Sequence, residues 1–172
     1  IILMSATITN HEEFAKSLGI PKDQYEYLEI PSVFDSKHSP IKSSRRYSLS
    51  YKNNNIDLPK IIETAIHICE EHSGEKGIIH THTNQITEAF KKMARGNKRF
   101  LFREVGVSNE TIIDFHKNSS EDTILVSPSL TTGISLDDHL GRFQLILKAP
   151  FLPLSSKRIK RIYETNKTYY TM

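Results

Sequence analysis

The chain has 172 residues, 37% hydrophobic and 25% charged, with a net charge of +3. That balance suits a domain with a complete apolar core and excludes an intrinsically disordered chain, while the small positive charge permits contact with nucleic acid without requiring it. The single cysteine, Cys69, excludes a disulfide or a cysteine-built metal cluster within the chain. No apolar run nears the ~20 residues that cross a bilayer, so a cytosolic location, or a nuclear one in a eukaryote, is expected.

In chain order, IILMSATI is expected to form a strand ending in small hydroxyl residues. Thr9 and Asn10 stand before Glu12 and Glu13 at capping distance and predict a short helix that Gly19 ends. YEYLEIPSVF and RRYSLSY alternate in the manner of strands, separated by the polar turn DSKHSPIKSS. Asp57 is the expected cap of a helix with Pro59 in its first turn, and Ile61, Ile62, Ala65, Ile66 and Cys69 share one face. Cys69 is therefore expected to be a buried core thiol.

GEKG breaks that helix before the strand GIIHTH. From Thr83 the period changes, and Ile86, Ala89, Phe90 and Met93 fall on one helical face. RFLFREV predicts a strand, Asn109 starts a helix carrying Ile112, Ile113 and Phe115, and TILVSP and FQLILKAP predict two further strands. Ser155 opens a basic helix, with Ile159 and Ile162 facing inward and Lys157, Arg158, Lys160 and Arg161 outward. A solvated basic face explains that pattern without a ligand, and the same holds for Arg45 and Arg46 beside Tyr47.

Strands alternating with helices from residue 57 onward predict a mostly parallel sheet covered on both faces. In such a sheet ligands bind at the carboxyl ends of the strands. The expected ends, Ser5-Ala6-Thr7, Thr81 to Asn84 and Ser127 to Thr132, are rich in hydroxyls. Two of them lead into helices, whose free N–H groups favour phosphate.

Other chemistries fit less well. Asp137 and Asp138 are adjacent in TTGISLDDHLGRF, and neighbours in an extended segment face opposite ways, so they read as solvated turn residues rather than an acid–base pair or a metal site. His80 is expected to lie inward and His82 on the rim, and two histidines from one strand with no third partner do not make a zinc site. VSPSLTTG lacks the nucleophile elbow of a hydrolase. No phosphate-binding glycine loop of either common kind occurs, so the chain does not cradle a triphosphate in the usual way by itself.

Three stretches in order resemble one family. LMSATI is similar to motif III of superfamily 2 helicases, GIIHTHTNQITEAF to motif IV, and ILVSPSLTTGISLDDHLGRFQLILKAPF to motif V of the DinG/XPD-like branch. EIPSVFD also resembles the segment after motif III there. The resemblance implies a RecA-like fold, with residues 1–9 ending a first motor domain and residues 10–172 forming the second, truncated before motif VI. Both chain ends look cut, as such a fragment would.

It also implies that Ser5, Ala6 and Thr7 lie at a domain junction. His82, Thr83, Asn84, Ser127 and Ser129 would follow the phosphate backbone of single-stranded DNA. Thr131, Thr132, Gly133, Ser135, Asp137 and Arg142 would belong to the nucleotide and domain interface. ATP and Mg²⁺ are implied for the parent chain, an ATP-dependent helicase of repair or replication, and none for this fragment, which is expected to be inactive alone. The family pattern carries Glu-Gly-Ile-Asp where this chain reads Thr132-Gly133-Ile134-Ser135, so weaker ATP coupling is expected at Ser135. Two alternatives stay open: a catalytically inactive RecA-like module that binds nucleic acid or serves as a scaffold, and a flavodoxin-like domain for a phosphorylated small molecule.

Overall fold

The computed structural model describes residues 1–5, 8, 10–33, 35–44, 46–49, 54–130, 134–152 and 154–165. The chain divides into two compact units, residues 43–150 and residues 1–42 with 151–172.

The 43–150 unit contains α2 (Asn54–Glu71), β1 (Gly77–His80), α3 (Asn84–Met93), β2 (Phe100–Phe102), α4 (Asn109–Asn118), β3 (Ile124–Ser127) and β4 (Phe143–Ile146). The four strands form one sheet in the order β2-β3-β1-β4, and every neighbouring pair is parallel. β1 and β3 are buried along their whole length because they are central and covered on both faces. One face carries Ile79, Phe100, Ile124 and Val126 against Leu58, Ile62, Ala65 and Cys69 of α2 and Ile86 and Phe90 of α3. The other carries Ile78 and Leu125 against Ile112 of α4. This is the RecA-like α/β architecture expected from the sequence, a parallel sheet with helices on both faces.

The helices follow from their periodicity. Leu58, Ile62, Ala65 and Cys69 recur at helical spacing and are all buried. Burial pushes the Cys69 thiol up to about 11, so it is an inert core group. α2 begins at Asn54, a turn before the expected cap at Asp57. The Asp57 carboxylate instead accepts a hydrogen bond from the Ser48 N–H at 3.1 Å. Pro59 lies within the helix close to its start, where its missing N–H costs a single backbone bond. On α4, Phe115 is exposed and His116 takes the inward position four residues after Ile112.

The amino edge of the sheet is tied by two cations. The Arg99 guanidinium, on the segment entering β2, donates to the carbonyls of Cys69, His72 at 2.5 Å and Glu75 at 2.8 Å, at and beyond the end of α2. Its Nε pairs with the Asp122 carboxylate at 2.7 Å, just before β3. Lys76, 8% exposed, donates to the carbonyls of His116 at 2.6 Å and Ser119 at 2.7 Å, closing the end of α4. Both cations neutralise the partial negative charge of helix carboxyl ends.

Gly77 faces Phe143 across β1 and β4. A Cβ at Gly77 would stand 2.5 Å from Phe143 Cζ, and that ring stacks on His72 with centroids 4.6 Å apart. Glycine is thus required for close approach to an aromatic ring that has little room to retreat.

The other unit contains α1 (His11–Ser17) and α5 (Lys157–Thr165), with short 3-10 turns at Lys22–Gln24 and Ser36–His38. The Asn10 side chain caps α1 by accepting from Glu13 N–H at 3.0 Å. Basic residues Lys157, Arg158, Lys160 and Arg161 of α5 are exposed while Ile159 and Ile162 are half-buried, as the sequence predicts. The described residues of IILMSATI and YEYLEIPSVF carry no strand, nor do those of RRYSLSY in the 43–150 unit, and Ile1, Ile2 and Met4 are exposed. Alternating pattern alone cannot hold a strand, because its N–H and C=O groups need a neighbouring strand. Among the described residues no helix is long and apolar enough to cross a membrane.

Arg99→Met is expected to lower stability by about 3 kcal/mol, seen as a reduced urea midpoint, since it leaves helix-end carbonyls and Asp122 without their cation. Lys22→Ala, which removes an exposed pair with Glu12, is the control expected to leave the midpoint unchanged. Gly77→Ala is expected to cost about 2 kcal/mol through displacement of the Phe143 ring, read the same way.

Candidate functional site at the carboxyl edge

The chain leaves β1 on one face of the sheet, through α3, and leaves β3 on the other, where Leu130, Ile134 and Leu136 pack with Ile78 and Ile112. Adjacent parallel strands whose connections depart on opposite faces open a crevice beyond their carboxyl ends, the usual ligand position in such sheets. The residues bordering it are Thr81 to Asn84 after β1 and Ser127 to Leu130 after β3.

The turn after β1 is built by its hydroxyls. Thr81, fully buried, donates its backbone N–H to Ser127 O at 3.0 Å. Its hydroxyl meets that of Thr87 at 2.6 Å, and Thr87 in turn donates to Thr83 O at 3.1 Å. His82 has φ +64°, a left-handed conformation that costs a non-glycine residue about 1–2 kcal/mol. It reverses the chain so that Thr83 becomes the cap of α3, accepting from Ile86 N–H at 3.2 Å. The N–H groups of Asn84 and Gln85, in the open first turn of α3, have no partner within the helix. His82 and Thr83 are half-buried and Asn84 is exposed.

After β3, Ser127 is buried, and its hydroxyl accepts from the N–H groups of Ser129 at 3.2 Å and Leu130 at 3.3 Å. Ser127 therefore shapes the turn, while Ser129 is exposed at the rim. His80, in register with Ser127, is 8% exposed. The Gln144 side-chain amide lies 2.5 Å from His80 Nε2, and His80 Nδ1 is buried with no partner. Burial pushes the His80 pKa below the usual histidine range, so it stays neutral. The assignment of His80 to the interior and His82 to the rim agrees with the sequence reading.

Ser135 donates its hydroxyl to Asp137 at 2.7 Å. Arg142 pairs with Asp138 at 2.9 Å rather than with Asp137. Asp138, with φ +45°, starts a short 3-10 turn. The two adjacent carboxylates thus have separate local partners, and the described residues hold no group of three metal-ligating side chains. Ser5 is exposed in the other unit, and Ala6, Thr7, Thr131, Thr132 and Gly133 lie outside the described residues.

Sequence reasoning overlooked Gln144 and Lys148. Gln144 holds His80 from β4, and Lys148 follows the end of β4, whose next residue, Leu147, donates its N–H to His80 O at 3.0 Å. A polar residue inside an apolar strand and a lysine just after it were the available signals. The edge thus combines two open helix N–H groups with the exposed Ser129 hydroxyl, donors matched to phosphate oxygens. No family model, curated protein or solved structure matches the chain.

Thr83→Ala is expected to lower stability by about 1 kcal/mol through loss of the α3 cap, whereas Thr83→Ser is expected to retain most of it. Urea unfolding of both variants tests this.

Proposed function

We propose that the chain is part of the second motor domain of a DinG/XPD-like DNA helicase and that its 43–150 unit meets the phosphate backbone of single-stranded DNA. The observation that carries this reading is the Thr81 to Asn84 turn, which presents the first turn of α3 at the switch point between β1 and β3. Hydroxyls and backbone N–H groups position a strand without reading its sequence. In this reading ATP and Mg²⁺ are bound by the parent chain, in a cleft shared with a first motor domain, and this chain alone hydrolyses no ATP. The parent would act in DNA repair or replication.

One observation favours an inactive RecA-like scaffold as second reading. Ser135, where the family pattern has Asp, spends its hydroxyl on Asp137, which leaves it less able to link nucleotide to domain movement.

The test is fluorescence anisotropy of labelled oligo-dT over a range of salt concentrations, with Asn84→Pro as the probe variant. Proline is tolerated at a first helical position and removes one N–H, and Thr83 already has the extended backbone that proline demands. Binding is expected to weaken with salt at a log–log slope of about −2, as for roughly three phosphates. Asn84→Pro is expected to weaken it severalfold with stability unchanged. Salt-independent binding, or full affinity in Asn84→Pro, would overturn the backbone-contact reading, and DNA-stimulated ATP hydrolysis by this chain alone would overturn the division of labour.

A further inference from the structure

The connection from β3 to β4 crosses β1, and its described residues, 128–130 and 134–142, hold no α-helix. Its apolar anchors are Leu130, which is buried, and Ile134 and Leu136, which are half-buried. Its far end is held by a polar contact from beneath. His116 of α4 is fully buried, and both ring nitrogens are engaged. Nε2 donates to Leu140 O at 2.8 Å, and Nδ1 accepts from the Thr123 hydroxyl at 2.8 Å. The ring is therefore the neutral tautomer with its proton on Nε2, and it joins α4, the start of β3 and the end of the connection.

We propose that His116 is an acid-sensitive latch, holding the far end of the β3–β4 connection, residues 138–142, against α4 when neutral and releasing it when protonated. Among the described residues, the charges around the ring offer an imidazolium no counterion. From the segment before β1 comes the Lys76 ammonium, 2.6 Å from His116 O, and α4 itself adds Lys117. Before β3 stand Glu121, which is exposed, and Asp122, which is committed to Arg99 at 2.7 Å. The connection supplies Asp138, committed to Arg142 at 2.9 Å, and His139, which is exposed. Among the described residues no carboxylate is hydrogen-bonded to the imidazole.

Burial lowers the His116 pKa, the hydrogen bond to Leu140 opposes that, and the Lys76 charge adds to it, with the net shift below 6.5. The sign follows. The released ring takes up its proton near the ordinary histidine value of about 6.5, before the latched ring does. The closed form is fully favoured above that pH. It loses ground as pH falls below it, until the latched ring itself protonates. His80 shifts in the same direction but lies at the carboxyl edge and is common to all variants below. The connection yields first because few apolar contacts hold it. The latch does not depend on what the rim binds.

The test is NMR amide exchange on the whole chain from pH 7.5 to 5, corrected for intrinsic rates. The Gly141 N–H donates to Asp138 O at 3.3 Å and the Arg142 N–H to Lys76 O at 2.8 Å, so both report the latched end. Their protection is expected to fall by up to about tenfold per pH unit below 6.5, as one linked proton allows. Protection at Ile79 and Val126 in the sheet is expected to change less. In His116→Gln the steep fall at Gly141 and Arg142 is expected to vanish. A flat wild-type profile, equal loss at Ile79 and Val126, or the same fall in His116→Gln would each overturn the proposal. If His116→Gln does not fold, the imidazole of wild-type His116 is titrated by NMR: a midpoint at or above 6.5 overturns the latch, and a lower midpoint with Gly141 opening below 6.5 supports it.

Discussion

The polarity of a parallel sheet dictates most of this unit. Each crossover returns the chain to the amino edge, so helix carboxyl ends and their unpaired carbonyls collect there, while helix amino ends collect at the opposite edge. The carbonyl-rich edge must find cations or remain unsatisfied. Arg99 and Lys76 meet that demand, reaching Cys69, His72, Glu75, His116 and Ser119 between them. Because those cations come from the segments that start β2 and β1, closing the helices also sets where the strands begin. At the N–H-rich edge Thr83 caps only the Ile86 N–H, and the N–H groups of Asn84 and Gln85 have no partner within the helix. A stable amino edge and a receptive carboxyl edge are two results of one chain direction.

The elements that were legible in the sequence are those whose pattern is enforced by packing on both sides. β1 and β3 show as short apolar runs because neither face meets water, and α2 and α3 show as helical stripes because each covers one face of the sheet. The cap at Asn10 was legible because a side-chain oxygen before a helix is a natural acceptor for its first N–H groups. The alternation in YEYLEIPSVF was misleading for a matching reason. It records side-chain order but says nothing about a partner strand, and the described residues there have none.

Harder to read were the polar groups whose partners lie far along the chain. Arg99 looks like an ordinary basic residue before a strand, yet it bonds a carbonyl 30 residues away. His116 occupies an apolar position of α4 and depends on Thr123 and Leu140 for its acceptability. Lys76 is a lysine in a glycine-flanked loop until α4 ends above it. At the candidate rim the hydroxyl-rich turns could be found by composition, but the division of labour could not. Ser127 and Ser129 are two residues apart and similar in chemistry. One is consumed by its own turn and the other faces solvent, a difference set by the turn after β3, which folds the Ser129 and Leu130 N–H groups back onto the Ser127 hydroxyl.

The two edges meet in the β3–β4 connection. It starts at the receptive edge with Ser127, crosses β1 on the face shared with α4, and finishes at the amino edge, where Arg142 donates to Lys76 O at 2.8 Å. An α-helix in that place would carry its own hydrogen bonds and a broad apolar stripe. This connection has three apolar anchors, a short 3-10 turn and the imidazole of His116 instead. Lys76 belongs to this corner twice, through its ammonium on the end of α4 and through its carbonyl on Arg142. Any change in charge at this corner is therefore felt by a segment whose other end forms part of the candidate rim, and the link requires only covalent continuity and one buried ring.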